Sequence, residues 1–168
     1  MAAVAVAKSE SSYGPMATLE LDPALLKSQW ELCDKVADYL SHIVGQLHGD
    51  PARYSNFLSV TVNELVELAF KTSAVTGPVK FELYREVGLV RINLSFHCPA
   101  DARAAICMGL DGRAQKAALA QDLGRVIMSD ISRLAGFADV CQVQLAAAEE
   151  APDRIALTAG FLWHEEHP

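Results

Sequence analysis

Residues 79–96, VKFELYREVGLVRINLSF, alternate apolar and polar side chains on either side of a short break at Glu86–Gly88. A period of two puts one set of side chains on each face of a strand. The stretch therefore predicts two strands joined by a tight turn. A second such pair is predicted in DVCQVQLAAAEEAPDRIALTAGFLW, turning at Glu149–Asp153. A short strand is predicted in MATLELD, residues 16–22. Strand pairs separated by helices predict an α+β fold, a two-layer α/β sandwich. Its sheet would be mixed but mainly antiparallel, with helices on one face.

The helical signals lie between these strands. Asp22 is a natural N-cap with Pro23 at the first helical position, and Leu25, Trp30, Leu32, Val36, Leu40, Ile43, Val44 and Leu47 recur at helical spacing. This predicts one long helix closed by Gly49. Asp50 and Pro51 open a second helix that runs to about Ser73. Residues 98–117 read as irregular, with short helical potential around two glycines, and ALAQDLGRVIMSDISRLAGF reads as a third helix. Residues 1–15 and 164–168 read as tails around a single domain at 16–163.

Composition narrows the functional classes. The net charge of −7 and the lack of a Lys/Arg cluster speak against nucleic acid and anionic membrane as partners. No apolar run approaches the roughly 20 residues of a membrane span. The opening MAAVAVAK lacks the features of a signal peptide. Cys33, Cys98, Cys107 and Cys141 form no CxxC pair and read as free thiols of a cytoplasmic protein. His97, Cys98 and Cys107 have no standard zinc spacing, and the neighbours His97 and Cys98 would face opposite ways on a strand, so no metal site is expected.

Two segments carry a family resemblance. VNELVELAFK, residues 62–71, is similar to the N-box of the GHKL ATPases, commonly N-E-L-x-x-N-A-x-K. Asn63, Glu64, Leu65, Ala69 and Lys71 match. DLGRVIMSDISRLAGF, residues 122–137, is similar to the Gly-rich start of the helix after that family's ATP lid. Leu123, Gly124, Ile127, Ile131, Leu134 and Gly136 match in register. The resemblance covers about residues 16–163. It implies the Bergerat-type fold of the superfamily that includes sensor histidine kinase catalytic domains and anti-sigma-factor serine kinases.

The departures bear on chemistry. Leu68 stands where the family has the asparagine that ligates Mg²⁺, and a leucine offers no oxygen ligand. The D-x-G-x-G box is missing, and Asp101 is the nearest acid to its place. Asp122 replaces the first glycine of the third box, putting a carboxylate where phosphate would approach a helix N-terminus. The resemblance thus implies a bacterial signal-transduction regulator with a degenerate site, a pseudo-ATPase without a cofactor. It would act by binding a STAS-type antagonist, a sigma factor or a response regulator, and would pair as a homodimer through its first helix. Asn63, Glu64, Lys71, Leu123 and Gly124 would line the vestigial nucleotide site.

Two alternatives stay open. One is an active Ser/Thr or histidine protein kinase using Mg-ATP, with Glu64 as base and Lys71 on phosphate. The other is a phosphotransfer protein acting through His42. The plainer readings are a solvated Glu64, an exposed Glu67–Lys71 ion pair and a helix-surface His42. Trp30 is expected to pack in the core. Ile106, Met108 and Leu110 are expected either to pack on the sheet or to form a docking loop.

Overall fold

The computed structural model describes residues 14–46, 50–74, 76–110 and 122–162. Most of the two expected tails lies outside these, as do Gly49 and residues 111–121. The elements run β1 (Ala17–Leu21), α1 (Pro23–Ser28), α2 (Glu31–Gly45), α3 (Pro51–Thr72), β2 (Val79–Glu86), β3 (Leu89–His97), α4 (Ala100–Leu110), α5 (Asp122–Cys141), β4 (Val143–Ala151) and β5 (Arg154–Leu162).

The strands form one five-stranded sheet in the order β1-β2-β3-β5-β4, with every neighbouring pair antiparallel. Register follows the period-two pattern, because a slip of one residue would turn the apolar set outward. Leu19 lies opposite Phe81, Phe81 opposite Leu94, and Leu94 opposite Leu157. These side chains share a core with Leu40 of α2, Leu65 of α3 and Ile131 of α5. The other face of the sheet is polar and half-exposed. There Lys80 pairs with Glu82 at 2.6 Å, Arg91 lies 4.8 Å over the Tyr84 ring, and Arg154 donates to Ser95 Oγ at 2.7 Å. One covered face and one polar face make the fold a two-layer α/β sandwich.

The helical layer departs from the sequence reading in two places. Asp22 does cap the first helix, accepting from the Ala24 N–H at 2.7 Å. That helix stops at Ser28, however, where Gln29 leaves helical geometry at φ −130° and ψ 82°, and Trp30 restarts it. Tertiary contacts accompany the break: Lys27 Nζ donates to the Ser73 carbonyl at the end of α3, and the Trp30 ring meets Phe70 edge-on at 4.7 Å. Trp30 is 43% exposed rather than part of the core. The second departure is α4, where an irregular segment is expected. Ala102, Ala105 and Ile106 are buried along one side of this helix, and Gly109 lies so close to Ile131 of α5 that an added Cβ would collide with it. Ile106 is thus a core residue and not part of a docking loop.

Gly77 holds the turn between α3 and β2 at φ +82°, which favours glycine, and a Cβ at this position would collide with the His97 ring. His97 Nδ1 lies 3.0 Å from Asp153 Oδ2, and that hydrogen bond is the main reason the exposed Asp153 carboxyl titrates below its ordinary range.

Candidate functional site

The stretch VNELVELAFK occupies the C-terminal half of α3, and the helix divides it by face. Pro51 opens α3, and no glycine or further proline interrupts its 22 residues. At the far end Thr72 Oγ1 donates to the Leu68 carbonyl at 2.6 Å. Val62, Leu65, Val66, Leu68 and Ala69 are all buried. Leu68 is 2% exposed and belongs to the main core. The side chain at the expected metal-ligand position is therefore a packed core residue.

Glu64, Glu67 and Lys71 follow i, i+3, i+7 spacing and form a stripe on α3. The stripe meets Asp130 and Arg133 of α5, themselves spaced i, i+3. Arg133 Nε donates to Glu64 Oε2 at 2.7 Å, and Arg133 Nη2 donates to Asp130 Oδ1 at 3.2 Å and lies 3.4 Å from Glu67 Oε2. Lys71 Nζ lies 2.7 Å from Glu67 Oε1 and donates to Asp130 at 3.1 Å and 3.0 Å. The two Asp130 oxygens share one side of the ammonium, so Lys71 turns donors to both Glu67 and Asp130 while its side chain stays 34% exposed.

Electrostatics follow from this geometry. Burial acts to lower the Lys71 pKa, but hydrogen bonds to Glu67 and Asp130, with their charges, outweigh it and raise the pKa above the ordinary lysine value. The hydrogen bond to Glu64 is the main reason Arg133 is held still more firmly in its charged form. Asp130 is 8% exposed, a buried carboxylate made tolerable by two cations.

The remaining candidates do not join this cluster. Asn63 faces a groove of about 490 Å³ between α2 and α3, lined also by Asp34, Asp38, Asn56 and Ser59. Its buried Oδ1 has no hydrogen-bond partner among the described residues. Leu123 and Gly124 fall in the first turn of α5, which begins at Asp122, and their side chains are outside the described set. Asp101 is exposed in the first turn of α4 and accepts from the Ala102 N–H at 2.9 Å. His42 is exposed on α2, 3.5 Å from the Gln46 side-chain nitrogen.

Cys98 is buried, and burial pushes its thiol up to about 11. Beside it, the buried Arg103 donates to the Cys98 carbonyl at 3.1 Å and lies 3.4 Å from Glu149. Among the described residues, no group of three or more His, Cys, Asp or Glu side chains is placed to hold a metal ion. Among them, too, no helix is long and apolar enough to cross a membrane.

Asp130 and Arg133 are the members of the cluster that the sequence pattern does not single out. Their i, i+3 spacing on the polar side of α5 was visible, but nothing local says which helix they face. A scan against protein-family models and a comparison with curated proteins give no match to this chain.

Proposed function

We propose that this protein is a signal-transduction regulator with a histidine kinase-like ATPase fold. It would work as a pseudo-ATPase, by binding another protein and not by phosphoryl transfer. Its partner would be of the anti-sigma or partner-switch type: a STAS-type antagonist, a sigma factor or a response regulator. The observation that carries the reading is the burial of Leu68 at 2% exposure, at the position where a Mg²⁺ site needs an oxygen ligand. Lys71 adds to it, because its ammonium is already held by the carboxylates of Glu67 and Asp130. Glu64, the candidate base, is likewise engaged by Arg133 at 2.7 Å.

Titration calorimetry with Mg-ATP tests the catalytic half of this reading, alongside incubation with Mg-ATP labelled in the γ-phosphate. We expect no binding heat at millimolar nucleotide and no label on the protein. Saturable binding with hydrolysis would replace the pseudo-ATPase with an active kinase. Acid-labile label that reaches the protein only from an added phosphorylated donor protein, and that disappears in His42→Ala, would replace it with a phosphotransfer protein.

A further inference from the structure

Asp130 is the keystone of the α3–α5 cluster. Its Oδ1 accepts from Lys71 at 3.1 Å and from Arg133 at 3.2 Å, and its Oδ2 accepts from Lys71 at 3.0 Å. The two cations lie nearer the surface than the acid: the Lys71 and Arg133 side chains are 34% and 44% exposed, and that of Asp130 is 11% exposed. An ammonium and a guanidinium held side by side at a surface are a natural receiver for a phosphate group, whose oxygens accept several N–H bonds at once. Here those donors face inward to carboxylates. Glu64, Glu67 and Asp130 outnumber Lys71 and Arg133, so the cluster keeps one negative charge in excess and repels an incoming anion.

We propose that this cluster is an autoinhibitory contact, in which Asp130 of α5 stands as a resident anion in an oxyanion site formed by Lys71 and Arg133. The ligand class is a phosphate or pyrophosphate group. The proposal rests on the reading of this helix pair as a disused nucleotide site, and adds that the site is closed by α5 itself. Lys71 and Arg133 keep the donors that binding needs, and Asp130 and Glu67 take them. Neutralising one of these acids balances the cluster, and neutralising both leaves it one positive charge in excess.

The experiment is calorimetric titration of the full chain with sodium pyrophosphate at low ionic strength, where exposed charges are least screened. Wild type is expected to show no saturable binding at millimolar pyrophosphate. Asp130→Asn/Glu67→Gln is expected to bind at least ~10-fold more tightly than wild type. Adding Lys71→Met should remove the gain. Thermal melting of each variant establishes that it is folded. If the buried Asp130→Asn change prevents folding, Glu67→Gln alone, on a side chain 20% exposed, should give a smaller gain in the same direction.

A folded double variant indifferent to pyrophosphate overturns the proposal, and so does a wild type that binds it as tightly as the variant. Either result is separable from the fate of the pseudo-ATPase reading. That reading fails only if wild type takes up Mg-ATP, whatever the variants do with pyrophosphate.

Discussion

The two sides of α3 solve different problems with residues from one ten-residue stretch. The side carrying Leu65, Leu68 and Ala69 is buried in the core. Its stabilisation scales with apolar area removed from water and needs no exact partner. The side carrying Glu64, Glu67 and Lys71 meets α5 through ion pairs that are partly exposed. Such pairs contribute little net stability, but they impose geometry, since each donor must meet a particular acceptor. The apolar side thus holds α3 in the fold, and the polar side decides which chemistry that surface can offer.

The largest effect that would sharpen this contrast is on stability. Leu68→Ala should cost ~2–5 kcal/mol in chemical denaturation, by lost transfer energy and an unfilled cavity. Glu64→Ala should cost less than ~1 kcal/mol. If the two costs were equal, the division of labour across α3 would be wrong.

Next in size is a pH effect at Cys98. Its folded pKa, about 11, is raised above the 9.0 of the free thiol, chiefly by burial. A raised pKa adds stability that is complete below the free-thiol value and is lost as pH rises through the folded one. Wild type should therefore lose ~2–3 kcal/mol more than Cys98→Ala between those two pH values. Parallel stability curves for the two proteins would show that the thiol is not desolvated as described.

A turn that serves the core side comes third. Gly77→Ala forces a Cβ into a backbone at φ +82° and against the His97 ring, and should cost ~1–3 kcal/mol. A neutral result would mean that the turn can rearrange without disturbing β3. The smallest effect belongs to the polar side. Lys71→Met should cost ~1 kcal/mol at low salt, since Arg133 still faces the buried Asp130, and less in 1 M salt, where the screening length falls to ~3 Å. A cost that grew with salt would count against an electrostatic origin.

Legibility in the sequence divides along the same line. The sheet was readable because alternation in 79–96 and 143–162 both defines strands and sets which face is buried, and the register follows from that. The helix starts at Pro23 and Pro51 were readable because capping is local. The break at Gln29 was not, since Leu25, Trp30 and Leu32 keep an apolar spacing while Trp30 and Lys27 turn to the end of α3. Helix α4 was obscured by Gly109 and Gly112 in the sequence, yet Gly109 is where α4 packs directly against Ile131. In the candidate site, the Glu67–Lys71 pair was legible from i, i+4 spacing, but the same rule puts Glu64 on one face with Leu68, whereas Leu68 packs in the core and Glu64 meets Arg133. The partners Asp130 and Arg133 were not legible, because a contact between residues so distant in sequence leaves no periodic trace.

The central claim is that this fold stands without a working nucleotide site. Thermal melting with and without millimolar Mg-ATP or Mg-ADP tests it most directly. A ligand present at about 100 times its Kd adds ~2.7 kcal/mol, which for a chain of this length is a rise of ~5–10 °C. The account predicts no such rise with either nucleotide. A rise of that size would contradict it, and would mean that Leu68 and the ion-paired Lys71 do not exclude nucleotide.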